Sequence, residues 1–190
     1  MAPDTAYDRL VQLRDAAAML SAASLDRDRP SVWVDLGCGT GTFTVALASL
    51  LAPGSTIRAI DRDAAALRQV PAAYRGVTII TDVADITVEA TGLHDLDGVL
   101  MANSLHYVRE QARFVQRWSE RLAPRGRFLV VEYDTDAANR WVPFPISRAR
   151  LPTVFERVGA MSIQDVARRP STYQRAPLYA VSIRPVTEND

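Results

Sequence analysis

Apolar and polar positions along this chain form two kinds of run, one with helical spacing and one typical of β-strands. In the helical kind, apolar side chains recur every three or four positions, as Leu10, Leu13, Ala17 and Leu20 do within 6–20. The strand kind is short and rich in β-branched and aromatic residues, which pack well on a pleated surface. The predicted strands are 32–35, 56–61, 77–80, 98–102, 127–131, 161–166 and 178–183. The predicted helices are 6–20, 42–53, 64–70, 108–122 and 148–159.

The order of these runs predicts a mostly parallel sheet, because strands separated by helices form βαβ units. Ligands of such sheets lie beyond the carboxyl ends of the strands. The polar residues at the predicted strand ends are Asp35, Asp61, Asp82, Asn103 and Glu132. Four of these five are acidic, although only 22 of the 190 residues are Asp or Glu. The carboxyl edge of the sheet is therefore the predicted binding site.

Composition narrows the function classes. A chain of 190 residues can bury one sizeable core, and its formal net charge of zero gives it no general attraction to nucleic acid or to an anionic membrane. One cysteine and two histidines leave no intramolecular disulfide and no ordinary zinc site, so no metal is expected. The N-terminus lacks the apolar core of a signal peptide, and no stretch approaches a membrane span. We therefore expect a cytoplasmic protein without a membrane partner.

The stretch VWVDLGCGTGTFT at 32–44 places Gly37, Gly39 and Gly41 between a predicted strand and a predicted helix. Such a turn lets a ligand lie against the backbone and places helix N–H groups toward it. Dinucleotide-binding turns have the pattern G-x-G-x-x-G, whereas here the third glycine comes one residue early and Thr42 follows it. This spacing disfavours a nicotinamide-dependent oxidoreductase. A chain without lysine also cannot form the Tyr-x-x-x-Lys pair of such enzymes.

The sequence VDLGCGTG resembles the first motif of class I S-adenosylmethionine (SAM) dependent methyltransferases. Four later segments resemble the motifs that follow it, in the same order: AIDRD, TDVADI, GVLMANSLHYV and LAPRGRFLVVEYD. The resemblance covers roughly residues 30–135, and the nearest group is that of the quinone-biosynthesis methyltransferases. It implies an α/β, Rossmann-like, doubly wound and mostly parallel sheet of seven strands, with helices on both faces and an antiparallel last strand.

The resemblance implies SAM as the cofactor, with S-adenosylhomocysteine as the product. Asp61 would bind the ribose hydroxyls, and Asp35 would orient the methionine end. Asp82 and the Val83 amide would hold the adenine. Asp35 and Asp61 could instead solvate strand ends or cap helices, and Asp82 could simply be a turn residue. The expected cofactor-binding residues are Asp35, Gly37, Cys38, Gly39, Gly41, Asp61, Arg62, Asp82, Val83 and Asn103. The Cys38 side chain is interpreted as a small filler rather than as a catalytic thiol.

The methyl acceptor is less constrained by the sequence. His106 lies three residues after Asn103, and its ordinary pKa suits a general base, so it is the catalytic candidate. It could instead cap a helix or pack on the cofactor. The aromatic and acidic stretch 132–147 could form a lid over the acceptor or plug an open edge of the domain. The expected acceptor-binding residues are Tyr7, His106, Tyr107, Tyr133, Trp141 and Phe144.

We predict one domain spanning 1–190, and its predicted parts are an N-terminal helix at 1–25, a cofactor core at 32–135, a lid at 132–147 and a C-terminal helix with closing strands at 148–185. The predicted function is SAM-dependent methylation of a small molecule. The alternative is a protein that binds SAM without transferring a methyl group. The stretch Asn103-Ser104-Leu105-His106 differs from the [ND]-P-P-[YF] motif of methyltransferases that modify nucleobases, so no nucleic-acid partner is expected. A core without a cap domain is compatible with a homodimer.

Overall fold

The computed structural model describes residues 5–88, 92–159, 161–171 and 176–186, with side chains from residue 12 onward. The α-helices are α1 (Thr5–Leu20), α2 (Thr42–Ala48), α3 (Ala64–Leu67), α4 (Gln111–Ser119) and α5 (Leu151–Phe155). The strands are β1 (Val32–Leu36), β2 (Thr56–Asp61), β3 (Ala73–Tyr74), β4 (Val77–Val83), β5 (Leu96–Ala102), β6 (Leu122–Tyr133), β7 (Met161–Arg169) and β8 (Leu178–Pro185). Two 3-10 turns lie at Leu105–Tyr107 and Glu156–Val158.

The strands form one sheet in the order β3-β4-β2-β1-β5-β6-β8-β7. The pairs from β4 across to β6 are parallel, and β8 runs antiparallel to both β6 and β7. This arrangement confirms the predicted α/β class, the mostly parallel sheet and the antiparallel last strand. Because β1 lies at the centre with β2 and β5 on either side, their carboxyl ends meet at one edge of the sheet.

The predicted number of seven strands is wrong by one in the described residues, where the sheet has eight. The additional strand, β3, pairs antiparallel with the start of β4. Arg75 and Gly76 join the two strands, and both have positive φ, at 48° and 81°. Such a pair of left-handed residues matches the right-handed twist of two antiparallel strands. The hairpin therefore forms with a strand of only two residues, where the sequence analysis assigned no element.

Several predicted helices are shorter in the structure. The helix predicted at 42–53 ends at Ala48, and the helix predicted at 108–122 spans only Gln111–Ser119. Leu122 instead begins β6, where it pairs with Leu96 before the register shifts toward Gly98. A strand can accommodate the proline and glycine at 124–126 at such an irregularity, whereas a helix interior cannot.

Helices cover both faces of the sheet, as the doubly wound prediction requires. On one face, α1, α2 and α3 bury side chains such as Met19, Leu47 and Leu67. On the other face, α4 and α5 bury side chains such as Trp118 and Phe155. In the part of the chain that the structure describes, no helix is long and apolar enough to cross a membrane.

Candidate functional site

Two cavities open beside the carboxyl ends of β1, β2 and β5. The first, called here the α1 cavity, has a volume of about 330 Å³ and includes Ala16, Met19, Cys38 and Tyr133 in its lining. The second, called the β4 cavity, has a volume of about 470 Å³ and follows β2 and β4. Its lining residues are Gly37, Asp61, Arg62, Asp63, Asp85, Ile86, Thr87, Asn103, Ser104 and Tyr107. Gly37 and Asn103 line both cavities, so one elongated ligand could occupy the two together.

The three glycines after β1 all have positive φ. The space that a side chain would find differs from one glycine to the next. A Cβ on Gly37 would lie 2.6 Å from the Cβ of Ser104, and one on Gly41 would lie 2.9 Å from Cγ2 of Val70. A Cβ on Gly39 would have nothing within 4 Å. The protein's own packing therefore disfavours a side chain at Gly37 and at Gly41, in addition to any contact that a ligand makes there. Of these three glycines, Gly39 is the one with open space where a Cβ would lie, whereas Gly37 borders both cavities with its backbone.

Asp61 ends β2 and lines the β4 cavity. Its Oδ2 accepts a hydrogen bond from the Gly39 N–H at 2.7 Å, and its Oδ1 accepts one from the Asp63 N–H at 2.9 Å. Asp63 in turn caps α3 by accepting from Ala65 and Ala66, as its position before a helix predicts. The Asp61 carboxylate is thus held in a fixed orientation, and each oxygen keeps a lone pair for a hydroxyl donor.

Asp35 is 1% exposed and lines the α1 cavity. The Thr44 hydroxyl donates to its Oδ2 at 2.6 Å, whereas no donor among the described residues reaches its buried Oδ1. Burial raises the pKa of the Asp35 carboxyl to about 7; the Thr44 hydrogen bond opposes this shift and the charge of Asp61 adds to it. An unpartnered acid oxygen in a cavity wall is suited to a cationic donor from a ligand.

Asn103 follows β5 at the junction of the two cavities. Its φ of 55° is uncommon for a residue other than glycine, and its N–H donates to the Val131 carbonyl at 2.8 Å. The Oδ1 of its side chain is buried and has no donor among the described residues. Backbone strain of this kind is concentrated at functional sites. Asn103 and Asp35 both line the α1 cavity, and each has a buried Oδ1 without a partner among the described residues.

Asp82 and Val83 do not line either cavity, contrary to the expected adenine contact. Both Asp82 oxygens accept from the Arg58 guanidinium, at 2.8 Å and 2.7 Å, and the Val83 side chain is 65% exposed. The prediction ended this strand at residue 80, whereas β4 continues to Val83. The residues that follow the true strand end are Asp85, Ile86 and Thr87, and these line the β4 cavity. Asp85 and Ile86 belong to the segment TDVADI that the resemblance matched, which was the available signal.

A model of the methyltransferase domain family matches residues 34–128. The chain belongs to this family. The match begins within β1 and ends within β6, so it includes the glycine turn, Asp61 and Asn103. It confirms the resemblance that the sequence motifs carry.

Curated relatives of this methyltransferase domain are trans-aconitate 2-methyltransferases of Mycobacterium tuberculosis and Mycobacterium bovis. Each is 35% identical over 115 residues, which are 60% of this chain. The chain matches 40% of the length of these relatives.

Solved structures show the same fold at low identity. A SAM-dependent methyltransferase of Leishmania major is similar with a TM-score of 0.71 and 16% identity, covering 95% of this chain and 74% of that one. The 1,6-didemethyltoxoflavin-N1-methyltransferase of Burkholderia thailandensis, crystallised with 1,6-didemethyltoxoflavin and S-adenosylhomocysteine, gives 0.68 and 21%. That comparison covers 96% of this chain and 82% of the other. These likenesses confirm a methyltransferase fold.

Cys38 of the methyltransferase domain lines the α1 cavity within the glycine turn. Burial raises the pKa of its thiol, and the nearby charges of Asp35 and Asp61 raise it further. A thiol with a raised pKa stays protonated near neutral pH, and the thiolate is the nucleophilic form. This environment favours the interpretation of Cys38 as a filler. The described residues contain no group of three or more His, Cys, Asp or Glu side chains that could hold a metal ion.

His106 and Glu132 form a buried pair behind the cavities, each 1% exposed. The Nδ1 of His106 lies 2.6 Å from Oε2 of Glu132, and the His106 backbone N–H donates to Oε1 at 3.2 Å. The His106 ring lies against Tyr107, with 4.4 Å between centroids, and 6.1 Å from the ring of Tyr133. Tyr107 lines the β4 cavity and Tyr133 lines the α1 cavity. The buried pair thus supports one aromatic wall in each cavity, and His106 itself lines neither.

The segment 132–147 contacts the α1 cavity only through Tyr133. The Trp141 side chain is 62% exposed, with the Arg140 guanidinium over its ring, and Phe144 lies under Arg109. Neither aromatic residue lines the α1 cavity or the β4 cavity among the described residues, so the structure does not bring them to this site. Val142 and Ile146 of the same segment are buried instead, and Ile146 packs with the α4 and α5 side chains.

The N-terminal helix covers the site through residues that the sequence analysis did not select. Tyr7 was selected, and its side chain lies outside the described residues. Ala16 and Met19 of α1 line the α1 cavity instead, together with Arg169 at the end of β7. The apolar face predicted for this helix was Leu10, Leu13, Ala17 and Leu20, which includes neither Ala16 nor Met19.

Proposed function

We propose that this methyltransferase domain binds SAM and transfers its methyl group to a small-molecule acceptor. The observation that carries the proposal is the pair of unpartnered acceptors, Asp35 Oδ1 and Asn103 Oδ1, beside a glycine turn. The methionine end of SAM carries an ammonium group, which fits the Asp35 oxygen. The ribose carries two hydroxyl donors, which fit the free lone pairs of Asp61 in the β4 cavity.

This assignment divides the cofactor between the cavities. The β4 cavity, with Asp61, Asp85 and Ile86, would hold the adenosine part, and the α1 cavity would hold the methionine part. Gly39 has the open space that lets a ligand approach its backbone. Bound there, SAM would supply a methyl group on a sulfonium, a good leaving group for an in-line displacement.

The chain's own task is to hold the acceptor close to the methyl group and to exclude water, which can lower the activation free energy by several kcal/mol. Tyr133 supplies an aromatic face to the α1 cavity, and such faces favour a nearby cation. We propose a small organic acid as the acceptor, because the curated relatives are named for trans-aconitate.

A cytoplasmic location and a homodimer stay predictions, as does the division of 1–190 into four parts.

The assignment of His106 as a general base also stays a prediction. Its support is Glu132, which would fix the imidazole orientation through Nδ1 and leave Nε2 as the proton acceptor. Against direct contact stands its burial behind Tyr107 and Tyr133. Turnover and SAM affinity should be measured for His106→Gln. A role in proton transfer requires turnover to fall at least tenfold while the dissociation constant of SAM stays within threefold.

The function itself is tested by calorimetric titration of the protein with SAM, using NADH as the control ligand. We expect saturable one-site binding of SAM and none of NADH. Methyl transfer from labelled SAM is then measured with trans-aconitate and a panel of small organic acids, amines and phenols. Binding without transfer to any acceptor would favour the alternative, a SAM-binding protein. A folded sample that does not bind SAM would contradict the proposal.

The pH dependence of the free energy of unfolding should reveal the ionisation of the Asp35 carboxyl. Its raised pKa means that the native state binds this proton more tightly than the unfolded state. The stabilisation is complete below pH 3.8, the ordinary value, and is lost as the pH rises through about 7. Relative to Asp35→Asn, we expect the wild-type free energy of unfolding to fall by about 2 kcal/mol between pH 5.5 and pH 8.

Urea unfolding at several pH values measures this difference. SAM affinity should change in the opposite direction, because a cationic ligand favours the ionised carboxyl of Asp35. Parallel stability curves for wild type and Asp35→Asn would show that Asp35 titrates as an ordinary carboxyl.

A further inference from the structure

The α1 cavity has two walls of different chemistry. One is formed by the glycine turn and its neighbours, with Asp35 and the side chains of Thr40 and Thr42. The second wall is formed by α1 and by the end of β7 with the start of β8. The residues of this second wall are Gln12, Asp15, Ala16, Met19, Arg169, Pro170, Ser171 and Leu178. The first wall is the one assigned to the cofactor, which leaves the second to face the acceptor.

Arg169 is the one cationic side chain among the described residues that line this cavity. Its Nη2 donates to Oδ2 of Asp15 at 2.7 Å, which joins β7 to α1 across the second wall. The Arg169 and Asp15 side chains are 32% and 44% exposed, respectively. A salt bridge so accessible to water contributes little to folding. Another carboxylate could therefore replace Asp15 as the partner of Arg169 at small cost.

We propose that Arg169 is the specificity-determining residue that binds a carboxylate group of the methyl acceptor. This inference rests on the proposed function. A guanidinium has five N–H donors in a planar fork that matches a carboxylate, and the hydrogen bond to Asp15 uses one of them. The apolar side chains of Ala16, Met19 and Leu178 would contact the carbon frame of the acceptor. The acceptor class is thus a small organic acid with an apolar or unsaturated body.

The methionine part of SAM also has a carboxylate, and this is the competing source of the same chemistry. Thr40 and Thr42 line the cavity on the glycine-turn side, as Asp35 does, and their hydroxyls are potential donors to that carboxylate. Both charged groups of one amino acid can be held on that wall. Arg169 is on the other wall and is therefore assigned to the acceptor.

The test compares Arg169→Met with the matched control Arg168→Met. Arg168 is the preceding residue of β7, but its Nη2 donates to Asp134 and it does not line the α1 cavity. For each variant, calorimetry gives the dissociation constant of SAM and of trans-aconitate added to protein saturated with S-adenosylhomocysteine. The KM is measured for the acceptor that the wild-type protein methylates.

For Arg169→Met we expect acceptor binding to weaken by ten- to a hundredfold, with SAM binding within threefold of wild type and the melting temperature retained. Arg168→Met should leave both ligands unaffected. Asp15→Asn should strengthen acceptor binding severalfold, because it removes the competing carboxylate. This gain would not arise from a purely structural role of the pair.

Three results would overturn the inference and leave the proposed function standing. The first is weaker SAM binding with unchanged acceptor binding in Arg169→Met, which would assign Arg169 to the methionine carboxylate. The second is a methylated acceptor that has no acid group. The third is a wild-type protein that binds SAM but methylates no carboxylic acid, and whose complex with S-adenosylhomocysteine does not bind trans-aconitate. Failure of wild-type SAM binding would instead contradict the proposed function.

Discussion

Glu132→Ala is expected to lower the free energy of unfolding by about 3–5 kcal/mol, the usual cost of removing one partner from a buried polar or ionic pair. Glu132 accepts from the backbone of His106 and shares a second hydrogen bond with its ring. Both side chains are 1–2% exposed, so water cannot replace the lost partner. Such a loss is a large part of the stability of an ordinary domain, which is about 5–15 kcal/mol. Urea unfolding followed by circular dichroism measures it.

Two controls bracket this result. Glu132→Gln keeps the shape and one oxygen acceptor, so we expect a smaller loss of about 1–3 kcal/mol. This variant also remains measurable if Glu132→Ala does not fold. Glu156→Ala removes an exposed glutamate and should change stability by less than about 0.5 kcal/mol. Equal losses for Glu132→Ala and Glu156→Ala would contradict the structural role of the buried pair.

The second large effect is expected on cofactor binding. Asp61→Ala should weaken SAM binding on the order of a hundredfold, because the ribose hydroxyls lose a charged acceptor. The change also frees the N–H groups of Gly39 and Asp63, which the carboxylate now holds in place. Calorimetric titration at fixed salt and pH measures the dissociation constant. An affinity within threefold of wild type would remove Asp61 from the site.

Asp82→Ala is the matched control for Asp61→Ala. Asp82 also lies near the end of a parallel strand, but Arg58 occupies both of its oxygens and it lines neither cavity. We therefore expect SAM affinity within threefold of wild type. A loss comparable with that of Asp61→Ala would restore the original assignment of Asp82 to the adenine.

Much of the fold was predictable because the strands of a buried parallel sheet are distinctive in sequence. Seven of the strands follow from apolar runs such as 98–102, which β5 contains. The two-residue β3 has no such run and depends on the left-handed pair Arg75 and Gly76. The start of β6 at Leu122 was missed because the proline and glycine that follow it are typical of a turn.

The grouping of the strand-end residues beside the two cavities was predictable for a related reason. Asp35, Asp61 and Asn103 stand at or directly after strand ends, and the fold brings parallel strand ends together. Asp82 was misplaced because its strand is three residues longer than its apolar core indicates. In contrast, the wall that holds Arg169 joins side chains 154 positions apart in the chain. No local pattern carries a contact of that separation.

The position of β8 between β6 and β7 has a consequence for how such a protein could diversify. The last two strands form an antiparallel pair, in which Arg169 is opposite Leu178, and both residues border the α1 cavity. Mutations or insertions in the connection between these strands would leave the pairing of β1, β2 and β5 unchanged. Proteins descended from one ancestral sequence could therefore differ in substrate while they keep the same arrangement of β1, β2 and β5. Transplanting this hairpin between homologues is the corresponding engineering route.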